Sequence, residues 1–367
     1  MLTTQVLIKN RSISYFEYAV VFILIVYAAR ATEFARSIDS WDNIIGLFLP
    51  IGAVAFLGFI KNVHFNHRFW LLLAGYTLWF IANTIKFQSL HPRFFGINLI
   101  QIFLAYVVIS ALRFRFFKIF EDILYVLCII GIVFWVIQNI IPTPFIELLR
   151  NFEFSTQGEE DVGPVDFNTL VYTIGRISEN TETGFNLFGA SFYRNSGYAW
   201  EPGVFASYVN IGIFVNFIRN KFKFRNNIRI WVFIVALAST FSTTGYSIFI
   251  LLLLFYLYNQ ELVKVVWLIP VAGIAVIVIF SLPFMADKIM SKADAEISTE
   301  QLIYWSAKYE TMYIPQRFQS LEIDFKDFLN HPILGYGGHL QAKWTNQLGA
   351  NISTASGVGK ILAQYGV

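Results

Sequence analysis

The sequence predicts an all-α, polytopic integral membrane protein, and three observations carry that prediction. Of 367 residues, 56% are hydrophobic and 14% charged, with a mean hydropathy of +0.57; soluble domains carry about 25% charged residues. Apolar runs near the ~20 residues that a helix needs to cross hydrocarbon recur along the chain. Lys and Arg collect in alternate short loops, the pattern that sets membrane orientation.

The first span covers 13–31: Met1–Ser14 is polar and no small-residue cleavage site comes after it, so Tyr15–Ala29 reads as a retained helix and not a removable signal. Next come 43–60, 69–86, 95–112, 119–141 and 200–218, a long run over 230–258, and 264–282. An amphipathic start at Gly357–Val367 brings the expectation to nine or ten helices, with the last ones beyond residue 367. Two polar stretches, 142–199 and 283–356, are too long for hairpin connections. No internal repeat or soluble-domain boundary interrupts the chain, so 1–367 reads as a single membrane domain.

Lys9 and Arg11 precede the first span, Lys61 and Arg68 follow the second, and Arg113, Arg115 and Lys118 follow the fourth. Arg219, Lys221, Lys223, Arg225 and Arg229 follow the sixth. These loops and the N-terminus are therefore expected in the cytoplasm, and the loop 142–199, acidic at Glu159, Glu160 and Asp161, outside. The run 230–258 decides the rest. As one helix its 29 residues would reach roughly 44 Å, against a hydrocarbon core of about 30 Å. Its centre, Ser239-Thr240-Phe241-Ser242-Thr243-Thr244-Gly245, is a plausible break. Two helices put 283–356 outside beside 142–199; one helix puts it in the cytoplasm. Length favours two.

The net charge of +3 is too small to indicate nucleic acid. A lone cysteine, Cys128, excludes an internal disulfide and a Cys-based metal site, and His64 with His67 lack a third ligand, so no metal or cofactor is expected. Phosphate-loop, nucleophile-elbow and zincin motifs are absent.

The chemistry concentrates in Arg194-Asn-Ser-Gly-Tyr-Ala-Trp-Glu-Pro-Gly203, where a membrane helix begins. Pro202 suits a first turn, Glu201 the positive end of a helix dipole, and Trp200 an interfacial belt. Those three have a plain reading as a helix start. Arg194 and the turn at Gly197 do not, and an arginine beside a helix N-terminus favours phosphate. In 283–356, Phe318, Leu321, Phe325, Phe328 and Leu329 fall at helical spacing, predicting an amphipathic helix over 317–330 that lies on the membrane or caps a cavity. Arg317 opens it. Arg317 and Arg176 read equally as solvated arginines. His339, after Gly337-Gly338, suits a general base or an exposed loop residue.

The run Arg194 to Ala206, the segment Ser242-Thr-Thr-Gly245-Tyr-Ser, the stretch Arg317…His331-Pro-Ile-Leu-Gly335-Tyr-Gly337, and Ile361-Leu-Ala-Gln-Tyr-Gly366-Val367 occur in one order. In that order they resemble the motifs of bacterial O-antigen polymerases and ligases, the Wzy/WaaL-like group. The resemblance implies a GT-C-like transferase with two large extracytoplasmic loops in the bacterial inner membrane. It implies glycan transfer from an undecaprenyl-diphosphate-linked oligosaccharide, without metal or nucleotide sugar, in membrane lipid and with a chain-length regulator protein as partner. Arg194 and Arg317 would hold the diphosphate, with Glu201 or His339 as base. Arg176, Tyr198, Trp200, Ser242 and Tyr336 would line the substrate site. The His-Asn pair of many ligases falls here near Ala355-Ser356, with no histidine, which favours a polymerase. The alternatives are a ligase acting on a lipid A core, and a flippase of lipid-linked glycan; few polar residues lie within the spans to suit a flippase.

Overall fold

The computed structural model describes residues 14–29, 44–152, 165–175, 184–187, 190–260, 270, 298–309, 311–315, 317–354 and 357–367. It is mostly helical. The chain divides into two compact units: Met1–Val63 with Val107–Ala286, and His64–Tyr106 with Asp287–Val367.

The first unit holds α1 (Tyr15–Ala28) and α2 (Ile44–Ile60). The end of α4 (Pro92–Leu112) leads into α5 (Phe114–Ile140) and the short α6 (Pro142–Arg150). After α6 come two antiparallel hairpins, β1 (Val165–Asn168) with β2 (Thr173–Gly175) and β3 (Gly184–Leu187) with β4 (Ala190–Tyr193). The unit continues with α7 (Pro202–Arg219), α8 (Ile228–Ser239) and α9 (Thr243–Asn259). Small residues let α7 close on α5 and α9 close on α7. A side chain at Gly212 would meet the Leu124 methyl at 2.5 Å, and one at Gly245 would meet Ala206 Cβ at the same distance. Around those contacts Leu124, Phe205, Val209, Ile213 and Phe233 are fully buried.

The run 230–258 is therefore two helices. Asn216 bonds Asn227 near the start of α8, Gly212 faces Phe233 midway, and Asn195 bonds Ser239 at its end, so α8 runs antiparallel to α7. After Thr240-Phe241-Ser242 the chain reverses. Gly245 abuts Ala206, and Phe255 and Tyr256 reach Phe214 and Phe217, so α9 runs parallel to α7.

Charge gathers at one end of this unit. Buried Glu17 pairs with Lys61 and with Arg115 at 3.3 Å. Buried Glu121 pairs with Arg219 and with Arg229 at 3.7 Å. Asp122 takes Arg229 and the Tyr18 hydroxyl. The start of α1, end of α2, starts of α5 and α8 and end of α7 thus share one end. Their basic residues belong to the loops that the sequence places in the cytoplasm.

The second unit pairs α3 (His67–Phe87) with α4 through stacked aromatics, among them Phe80 on Phe95 at 4.3 Å and Tyr76 on Phe95 at 5.4 Å. Asn66 caps α3, accepting from Phe69 N–H. It also holds α10 (Thr299–Tyr309), α11 (Arg317–Asn330), α12 (Trp344–Gln347) and α13 (Gly357–Tyr365). Their core is Leu302, Ile303, Ile323, Ala350 and Ile352. The predicted helix over 317–330 is present, but its buried face is Ser320, Ile323, Asp324 and Asp327. Leu321, Phe325 and Leu329 of the apolar stripe point outward. The helix thus turns its two aspartates inward and leaves these apolar residues exposed.

Among the described residues two helices, Pro92–Leu112 and Phe114–Ile140, are long and apolar enough to cross a membrane; Tyr15–Ala28, Phe48–Ile60, Ile228–Ser239 and Thr243–Asn259 are apolar but shorter. The predicted span 264–282, but for Pro270, the acidic Glu159–Asp161, Arg176 and Ala355-Ser356 lie outside the described residues.

Candidate functional site

The segment from Arg194 to Gly203 crosses the end of the first unit opposite its ion pairs. A helix C-terminus leaves carbonyls unbonded and carries partial negative charge. Arg194 meets that end of α8: its Nε donates to Thr240 O at 3.0 Å and one Nη to Phe241 O at 2.9 Å. Asn195 fixes the approach, with its N–H on Ser239 O and its Nδ2 on Ser239 Oγ at 2.8 Å. Its Oδ1 accepts from Gly197 N–H. Gly197 has φ +50°, and a Cβ there would lie 2.6 Å from the Phe205 ring, so both conformation and space demand glycine.

Glu201 is the N-cap residue of α7, with Pro202 in the first turn and no capping bond from the carboxylate. Ser242 caps α9, its Oγ accepting from Gly245 N–H at 3.1 Å. The first turns of α7 and α9 touch through Ala206 and Gly245. A guanidinium thus lies on the negative end of one helix, at the end of the unit where two others begin, and helix N-termini and guanidinium both attract phosphate.

Other expected residues are placed differently. Tyr198 is 2% exposed, packed on Phe205 and Tyr208. Tyr336 is 1% exposed. Both were expected to line the substrate site, yet neither ring offers a face on which a sugar could stack. Ser242 is buried and its hydroxyl serves the cap. Trp200 is half-buried, and its main-chain N–H reaches Ala29 O at 3.4 Å. Beneath α6, an apolar cleft of about 620 Å³ is lined by Phe134, Ile141, Phe145, Leu148, Phe152 and Leu170, among others.

In the second unit, Arg317 begins α11, and its side chain lies outside the described residues. His339 follows a glycine turn as predicted, but it is buried, 4.5 Å from the Phe87 ring and 4.3 Å from His91. Burial, with His91 and Lys86 alongside, holds its imidazole below the usual range, so it is neutral near pH 7 and able to accept a proton. The turn itself is fixed by its neighbours. Gly335 and Gly337 have φ +65° and +57°, and a Cβ on Gly335 would strike Gln364 O at 2.2 Å. Tyr336 and Gly337 donate their N–H groups to Ala363 O and Gln364 O at the end of α13.

The residues that sequence reading passed over are the buried polar ones. Asp324 accepts from Thr354 Oγ1 at 2.8 Å and Asp327 from Trp344 N–H at 2.6 Å, with Lys343 buried nearby. Burial pushes Asp327 up to about 6 and raises Asp324. The signal was the i, i+3 spacing of Asp324 and Asp327, which puts both on one helix face. Among the described residues no group of three or more His, Cys, Asp or Glu is arranged to hold a metal. No family model, curated protein or solved structure matches the chain.

Proposed function

We propose that this chain is a multi-pass enzyme of the bacterial inner membrane that polymerises glycan repeat units outside the cytoplasm. It would have nine to ten spans and a cytoplasmic N-terminus. Arg194, held where α8 ends, is the observation that carries the reading. The donor is an undecaprenyl-diphosphate-linked oligosaccharide, and the acceptor is a sugar hydroxyl of a second lipid-linked unit. As the glycosidic bond to the new acceptor forms, the bond to the diphosphate breaks and negative charge grows on the leaving lipid diphosphate. A fixed guanidinium stabilises that charge more than it stabilises the ground state. Arg317 is the second proposed cation. His339, neutral near pH 7, or Glu201 takes the acceptor proton. The apolar cleft beneath α6 suits a polyprenyl tail. The reversal at Thr240–Ser242 supports the topology, because it returns α9 to the ion-paired end, from which the proposed span over 264–282 would carry the chain outward.

The test is glycan length in cells. Arg194→Ala and Arg317→Ala, compared at matched membrane levels, are expected to collapse long-chain glycan to single repeats. Long polymer in both variants sinks the site. Loss of transfer to a lipid A core with free polymer retained identifies a ligase, and repeats trapped on the cytoplasmic face identify a flippase.

A further inference from the structure

Three of the chain's five histidines converge in the second unit around one lysine. Phe87 is the wall shared by two of them and the lysine. Its ring lies 4.5 Å from His339, 5.3 Å from His331 and 4.7 Å from Lys86 Nζ. His91 stands edge-on to His339 at 4.3 Å. Two segments far apart in sequence build the cluster: the end of α3 with the loop after it, and the turn after α11. Their contact is tight. Lys86 Nζ donates to Gly335 O at 3.3 Å, and Asn83 Nδ2 to Leu334 O at 3.2 Å. A Cβ on Gly338 would press Phe94 Cβ at 2.9 Å and His91 Cβ at 3.2 Å.

We propose that Lys86, His91 and His339, with His331 beside them, form a binding site for a phosphate-class anion. Each group is a cation or becomes one on protonation. Among the described residues, the acids of this unit nearest in sequence, Asp324 and Asp327, are turned to Thr354 and to Trp344 N–H. No described carboxylate contacts the four. Lys86 has two ammonium N–H groups beyond the one given to Gly335 O, and it is exposed, whereas His339 beneath it is buried. The cluster therefore has a wet lip and a dry floor, the arrangement in which a charge-assisted bond to an anion is strong. Lys86 and His91 disfavour a proton on His339, and a bound anion reverses that effect. His339 is also a candidate base for the proposed transfer, but the cluster's own geometry carries the anion site, which does not rest on the polymerase reading. A lipid-borne diphosphate and a free inorganic one present the same chemistry to it.

The experiment uses the full chain in maltoside micelles, which carry no phosphate. Carbethoxylation of each histidine by diethyl pyrocarbonate is tracked by peptide mass spectrometry, with and without inorganic diphosphate, and with phosphatidic acid added to the micelles. We expect the rates at His91 and His339 to fall about tenfold with bound anion, the scale of one charge-assisted hydrogen bond. His64 and His67, outside the cluster, should not change. Lys86→Gln should abolish the protection and Lys86→Arg should keep it. Protection by phosphatidic acid alone assigns a lipid headgroup; protection by soluble diphosphate assigns a free anion. No protection by either probe, or protection that survives Lys86→Gln, overturns the proposal. Because nothing is polymerised in the assay, its failure leaves the polymerase reading to be judged on glycan length alone.

Discussion

The two units handle buried acid in opposite ways. In the first, Glu17 and Glu121 are each 1% exposed, and each touches two cations. In the second, Asp324 and Asp327 are fully buried and are held by a threonine hydroxyl and a main-chain N–H. Lys343, the nearest described cation, spends its amine on Ile352 O at 3.3 Å. Opposite charge in contact favours the ionised carboxylate; burial against neutral donors disfavours it. The first arrangement fastens helices through paired charges. The second leaves a carboxyl that changes charge near pH 6.

The largest break in this contrast comes from Glu121→Ala. It leaves Arg219 without its carboxylate and Arg229 with Asp122 alone, and it removes the nearer acceptor of Asn216 Nδ2. Because the arginines left behind are about one-third exposed, the cost is that of the lost charge-assisted bonds, about 1.5–3 kcal/mol, and thermal unfolding of the purified chain in detergent should show it. Thr354→Val is expected to cost about 1–2 kcal/mol, since it leaves Asp324 Oδ1 buried without its donor. Its unfolding midpoint should fall less than that of Glu121→Ala at the same pH. The smallest effect is a slope. Asp327 is raised in the folded chain to about 6, so between its ordinary value of about 4 and 6 the folded state holds the extra proton. Its contribution is therefore full below pH 4 and is lost as pH rises through 6. Asp324 and Lys343 face the same carboxyl. Asp327→Asn keeps an acceptor for Trp344 N–H, and it should flatten the decline in melting temperature between pH 5 and 7.5. An unchanged slope would mean that Asp327 is ionised throughout and that the two units do not differ.

Local pattern was readable to within a few residues. The apolar run 69–86 became His67–Phe87, and 200–218 became Pro202–Arg219. The break in 230–258 was legible because Ser, Thr and Gly cluster where a helix already too long must stop. The helix over 317–330 was legible in extent but not in facing, since periodicity finds two faces and does not say which one packs inward. The hairpins β1–β4 were missed: strands of three or four residues offer too few positions for alternation to register. Of the candidate residues, Gly197, Pro202 and Gly335 were legible because backbone conformation depends on neighbours in sequence. The meeting of His91 with His339, and of Glu121 with Arg219, was not. Such contacts come from tertiary packing, and no local pattern encodes them.

The three-residue turn between α8 and α9 is also a gauge of length. Each residue added to a helix rotates the rest of the chain by about 100° and advances it about 1.5 Å. One residue inserted before Thr240 would swing the two carbonyls that receive Arg194 a quarter-turn out of its reach, while the asparagine pair at the other end of α8 stayed in place. Deletions and insertions in that loop are thus felt as a change of aim, and the chain has no slack there to absorb them.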